Sequence, residues 1–333
     1  MIELKHDRLV FQYNEVHDDA RLVIDFQRTL RIPDDDKEYP LPAGLGKFPL
    51  RHVDDFSNDV PSRWIEHGGV MLPMYQSEAL WVNFTGSYPF AVKVATGKIN
   101  AVTGNAWTGG LNRGPQDYVV VPKQPWLDGY CVEKGIIRQF VAMPLGGGYS
   151  VEEQVTGTAE YGGLQIVAYP MKRERYEYLM RPVIEHRKMF RASLSVAGEA
   201  RGLDMGLAAG GRMRQEIYVD PHQLEDWDVD HASRCFVHIA NSLMWRQITG
   251  EVPPTVPLTS KEYRSAGIPW FDYYEEGAEA VQGSSILDKL KSVAKIGWER
   301  SDVPLPDNES VQVDKVIHLR KGLKKGQVRE GRF

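Results

Sequence analysis

The sequence predicts an α+β fold rich in β-structure: an antiparallel sandwich- or barrel-like body followed by a mixed helical region. Three observations carry this expectation. The first 170 residues alternate apolar and polar side chains, turn signals separate these runs at short intervals, and helical spacing enters only beyond Pro170. No long helical pattern lies between consecutive strands of the first half, which argues against βαβ units.

The elements follow in order. LVFQYNEV places Leu9, Phe11 and Tyr13 on one side of a strand, and ARLVIDFQRTLRI does the same with Leu22, Ile24, Phe26, Leu30 and Ile32. The intervening HDD reads as a turn, and the Pro/Gly-rich IPDDDKEYPLPAGLGKFPL as irregular surface chain. Strand patterns then recur in EALWVNFTG, PFAVKVATG, QDYVVVP, IIRQFVAMPLGGG and GGLQIVAYP.

Beyond Pro170, KRERYEYLMRPVIEHRKM carries Tyr176, Leu179, Met180, Val183 and Ile184 at helical spacing, with Pro182 set to kink or end the helix. SSILDKLKSVAKI reads as one helix, with Ser285 and Asp288 as a capping-box-like start and Leu287, Leu290 and Ala294 on one face. SVQVDKVIHLRKG returns to strand spacing through Val311, Val313, Ile317 and Leu319. The expected organisation is a β-rich body over 1–170, a mixed α+β region over 171–300 packed on it, and a strand with a basic tail over 301–333. No internal repeat is visible.

Composition narrows the function classes. A chain of 333 residues can bury a large core, and a formal charge of −5 creates no general attraction to nucleic acid or anionic lipid. The exception is the end, KVIHLRKGLKKGQVREGRF, whose basic residues offer weak, salt-sensitive contact with nucleic acid or an acidic partner. Two cysteines, Cys131 and Cys235, cannot make a disulfide framework, so a reducing compartment is expected. MIELKHDRLV has no apolar signal core, and no window approaches the roughly 18–20 apolar residues of a membrane helix. A cytoplasmic protein without membrane insertion is the resulting expectation.

The stretch EDWDVDHASRCFVHI places Asp226, Asp228 and Asp230 at the first three ligand positions of an EF-hand loop. The match then fails, because His231 stands where glycine is needed and Val237 where the closing glutamate belongs. Phe236, Ile239, Ala240, Leu243 and Ile248 instead predict a helix from about His231 to about Thr249, with Asp230 as its N-cap and Gly250 as its stop. On that helix His231, Cys235 and His238 share a face, a donor set suited to zinc and to a metal-dependent hydrolase. The alternative is a buried cysteine between partly exposed helix histidines.

Gly146, Gly147 and Gly148 precede Ser150-x-x-Glu153, a capping box, and a glycine loop opening a helix can hold an anion on its backbone N–H groups. Arg212 and Arg214 in GLAAGGRMRQEIY are further candidate anion contacts, which makes an anion or nucleotide binder one reading. A tight turn and a strand with outward arginines explain the same residues. No P-loop, G-x-G-x-x-G, G-x-S-x-G or H-E-x-x-H motif occurs. Cys235, His238 and Asn241 supply the residue types of a cysteine nucleophile, base and orienter, but one short helix would not let them converge.

Proline–aromatic turns recur in PMYQSEALW, QPWLDGY and IPWFDYY and supply Trp81, Trp126, Trp270 and Phe271. Such aromatics can floor a binding groove or anchor a protein interface, or they can be corner residues that pack turns onto a sheet. The blocks RTLRIPDD, YPLPAGLGKFPL, PMYQSEALW, QDYVVVPKQPWLDG, RQFVAMPLGGGYSVEEQVTG, GLAAGGRMRQEIY and IPWFDYY together resemble a family of uncharacterised microbial proteins, some labelled integral membrane proteins. The resemblance runs roughly from Phe26 to Tyr274 and implies one co-inherited architecture. It transfers no catalytic or binding residue, and the membrane label conflicts with the hydrophobicity. The leading functional expectation is a protein-interaction or assembly module that engages a partner, or itself, through its aromatic turns. The metal-dependent enzyme and the anion or nucleotide binder stand behind it.

Overall fold

A computed structural model describes residues 1–180, 205–274, 278–302, 305 and 308–320. The fold is the strand-rich α+β type that the alternation predicts. Its body consists of a ten-stranded and a seven-stranded sheet, and a third sheet of three strands is added to it. The inward residues of strand Arg21–Thr29 (Leu22, Ile24, Phe26) and of strand Ala79–Thr85 (Leu80, Val82, Phe84) join one core cluster. Val92 and Val94, Ile166 and Ala168, and Val237 and Ile239 enter the same cluster from the smaller of the two body sheets. The meeting of side chains from two sheets in one shared core is sandwich packing, and in the smaller sheet Phe90–Thr96 and Leu164–Pro170 are buried at every position.

Among the described residues pairing is mainly antiparallel, with three parallel exceptions. Val70–Met74 runs parallel to Ser233–Asn241, Glu38–Tyr39 to Met205–Arg214, and Trp270–Tyr274 to Val316–Arg320. Strand pairing also runs across the expected boundary at residue 170. Met205–Arg214 pairs along Ile136–Pro144, and Ser233–Asn241 lies between Leu164–Pro170 and Val70–Met74. Both sheets therefore need strands from the second region to be complete.

Three local expectations are corrected. The Pro/Gly-rich segment contributes the short strands Glu38–Tyr39, Leu41–Pro42 and Gly44–Lys47 and buries Tyr39, Leu41, Leu45 and Phe48, because its apolar residues outweigh its turn signals. The helix expected from His231 starts eleven residues later: Ser233–Asn241 is a strand, and only Ser242–Thr249 is helical. Asn241, not Asp230, caps that helix, accepting from Leu243 N at 2.9 Å and Met244 N at 2.8 Å. The segment after Ser284 makes two short helices, Ser285–Asp288 and Val293–Glu299, each with its own serine cap, rather than one.

The expected capping box is present at Ser150, opening helix Val151–Thr156. Val316–Arg320 is the late strand, while Val311 and Val313 pack beside the small sheet without joining it. Pro182 and the basic tail beyond Arg320 lie outside the described residues. No helix among the described residues is long and apolar enough to cross a membrane.

Candidate functional site

The three-stranded sheet, Leu41–Pro42, Trp270–Tyr274 and Val316–Arg320, packs on the body through a second apolar cluster that includes Ile137 and Met213. The strand Trp270–Tyr274 drives this docking. Trp270 is only 2% exposed and sits between Tyr39, at a ring separation of 6.2 Å, and Tyr263, at 5.4 Å. Phe271 and Tyr273 remain half-buried at the seam.

At that seam the aromatics form a row. Trp81 meets Trp126 edge-on at 6.1 Å, Trp126 meets Tyr273 at 4.8 Å, and Tyr273 meets Tyr218 at 6.4 Å. Trp81 lies against Gly44, where an added Cβ would stand 3.0 Å from the ring, so the glycine makes room for the indole. Asp128, two residues beyond Trp126, is buried, and its carboxyl accepts from Gln215 Nε2 at 2.6 Å. Burial pushes that carboxyl up to about 7, against the Gln215 hydrogen bond that favours its charged form.

A cleft of about 310 Å³ opens beside Tyr273, lined also by Gly135, Arg214, Gln215, Glu216, Asp272 and His318. Arg214 grips Asp272 through Nε at 3.1 Å and Nη2 at 2.9 and 3.1 Å. His318 Nδ1 stands 3.6 Å from the same carboxylate. An arginine held in this fork-like way presents a neutralised pair to the cleft, not a free positive charge.

The aromatic turns thus separate into two kinds. Trp81, Trp126 and Phe271 are half-buried at the seam, whereas Trp270 is a core residue. Asp128, Gln215, Asp272, Tyr273 and His318 were not singled out in the sequence, although Asp128 and Tyr273 sit two residues from the tryptophan or phenylalanine of the QPWLDGY and PWFDYY blocks.

The His231, Cys235 and His238 arrangement is corrected along with its helix. His231 lies in a turn, its Nδ1 2.8 Å from Asp228 Oδ2. Cys235 and His238 stand three apart on a strand, so they point to opposite faces. Cys235 is opposite Ile166, with burial pushing its thiol up to about 12. His238 stacks on Trp64 at 4.7 Å, 3.0 Å from the Gly68 carbonyl oxygen, and burial pushes its pKa down to about 4. Among the described residues no group of three or more His, Cys, Asp or Glu side chains converges as a metal site.

The glycine loop carries its own anion. Glu153 accepts from Gly148 N at 2.7 Å, from Ser150 N at 3.1 Å and from Ser150 Oγ at 2.6 Å, while the Gly147 carbonyl accepts from Arg300. Gly146 adopts φ +86° in the turn, the left-handed conformation that glycine tolerates. Arg212 faces Glu133 at 2.5 Å, Glu38 at 3.7 Å and Asp288 at 3.9 Å. Comparison with family models, curated proteins and solved structures finds no match to this chain.

Proposed function

We propose that this chain is a binding protein whose ligand occupies the aromatic seam between the small sheet and the body. The observation that carries the reading is the Trp126–Tyr273 contact beside a cleft walled by the Arg214–Asp272 pair. Concave sites with aromatic walls and a few placed polar groups are the usual form of a ligand pocket, and about 310 Å³ is at the small end of that class. A stable protein interface needs about 800 Å² from each partner, which favours a small ligand or a single chain segment over a broad assembly surface. The two cysteines are buried and unpaired, which agrees with placing the protein in the reducing cytoplasm.

The test compares the parent with Trp126→Phe and Asp272→Asn in thermal-shift and tryptophan-quenching titrations, with sedimentation to follow self-association. Support is a saturable response in the parent that both substitutions weaken about tenfold, or roughly 1.4 kcal/mol. A response that both variants retain unchanged would locate binding elsewhere and end this reading.

A further inference from the structure

We infer that the ligand of the aromatic seam is an uncharged saccharide whose sugar rings stack on Trp81 and Trp126. The inference rests on the binding reading above and supplies its ligand class.

Three features narrow the chemistry. First, the rings are tilted against one another in a row, 62° between Trp81 and Trp126 and 52° between Trp126 and Tyr273. Such a row presents successive apolar faces and edges; it does not enclose a point as a cage for a quaternary ammonium would. The face of Tyr218 at the end of the row already holds the protein's own cation, Lys123 Nζ at 5.7 Å.

Second, the cleft beside Tyr273 offers no surplus of positive charge: its arginine is paired with Asp272, and Glu216 lines it as well. Arg214 is engaged by Asp272 through three hydrogen bonds, so among the described residues lining the cleft its guanidinium is already neutralised and does not await a phosphate or carboxylate. A ligand that must hydrogen-bond here without bringing charge is a polyhydroxylated one.

Third, planar amides flank the indoles. In the strand register Asn83 is opposite Trp126 and Gln27 is opposite Trp81. Both amides donate to the buried Asp25 carboxylate, Asn83 at 3.2 Å, which fixes them in place beside the rings. Preorganised amides and carboxylates can satisfy neighbouring hydroxyl groups, while the apolar C–H face of a sugar ring covers the indole. Rotamers locked in the free protein reduce the entropy lost on binding.

The experiment uses the full chain labelled with 5-fluorotryptophan, with the Trp81 and Trp126 fluorine resonances assigned through Trp81→Phe and Trp126→Phe. Cellohexaose, maltohexaose, xylohexaose and chitohexaose are added separately at millimolar concentration, with inorganic phosphate and tetramethylammonium as the charged probes. Trp298, 81% exposed, serves as the internal reference. The expected result is a saturable shift of Trp81 and Trp126 with at least one saccharide, weakened about tenfold by Asn83→Ala, with Trp298 unmoved. Circular dichroism of Asn83→Ala, which removes a half-buried amide donating to Asp25, separates loss of binding from loss of fold. Absence of any saccharide response at Trp81 and Trp126 overturns the inference, as does a saccharide response confined to Trp298. If phosphate or tetramethylammonium alone moves the two resonances, the saccharide falls while the seam remains a binding site. If no probe moves them, and the titrations proposed above are also unaffected by Trp126→Phe, both readings fall.

Discussion

Gln215 and Asp128 are joined twice: the glutamine amide nitrogen donates to Asp128 Oδ2 at 2.6 Å, and its oxygen accepts from Asp128 N at 3.0 Å. This closed pair fixes the carboxyl of a residue that is only 2% exposed. Burial raises its pKa from 3.8 to about 7, so between these values the native state holds a proton that the unfolded chain has released. The stability from this group is fully present below the unfolded pKa and is lost as pH rises through about 7. Asp128→Asn should flatten that slope, by up to roughly 4 kcal/mol across the window at 1.36 kcal/mol per pKa unit. Urea unfolding of parent and variant at several pH values checks it; parallel curves would show that Asp128 does not titrate in this range.

His238 has the opposite sign. Its pKa is lowered from 6.5 to about 4 by burial, so the native state binds fewer protons than the unfolded chain in that interval. The associated stability is present above the unfolded pKa and is lost as pH falls toward about 4. His238→Gln should reduce the acid-side loss, at some cost at neutral pH from the lost stack on Trp64. Thermal unfolding of both proteins on the acid side measures the difference.

Arg28 and Glu78 form an ion pair whose side chains are 5% and 1% exposed. Arg28 also donates to the Thr255 carbonyl at 2.9 Å, and Glu78 accepts from Tyr75 N at 2.9 Å. Removing one partner strands a buried charge, so Arg28→Met should cost about 3–5 kcal/mol. Adding Glu78→Leu to Arg28→Met should recover much of that loss. A double-mutant cycle by chemical unfolding decides, and additive costs would contradict the coupling.

Two glycines should respond differently to one methyl group. A Cβ on Gly129 would stand 1.9 Å from the Arg138 carbonyl oxygen in the neighbouring strand, while a Cβ on Gly109 meets nothing within 4 Å. Gly129→Ala should cost at least about 2 kcal/mol and Gly109→Ala less than about 0.5 kcal/mol. Unfolding midpoints of the two variants give the comparison directly.

Several strands were legible because one face of each is buried in a shared core. Arg21–Thr29, Ala79–Thr85, Ile136–Pro144 and Leu164–Pro170 all fall within runs whose alternation predicts them. The Ser150 capping box was readable for a different reason: its two hydrogen bonds close within four residues. Ser233–Asn241 was not, because its apolar residues satisfy two periods. Cys235, Val237 and Ile239 alternate, while Phe236, Ile239, Ala240 and Leu243 follow helical spacing. The choice between them comes from Leu164–Pro170 and Val70–Met74, which supply hydrogen-bonding partners on both edges.

By itself, then, the sequence determined the strand-rich class, the inward face of many strands, and the clustering of tryptophans in proline–aromatic turns. Only the tertiary structure decided that Trp270 belongs to a core while Trp81 and Trp126 remain at a seam. It also brought Asp128, Gln215, Asp272 and His318 to one place, although they are scattered over 191 positions of the chain. Alternation is a local property and marks which side of a strand is buried. Which strands become neighbours depends on packing between distant segments, and a site assembled across such a seam leaves no spacing in the chain that would mark it.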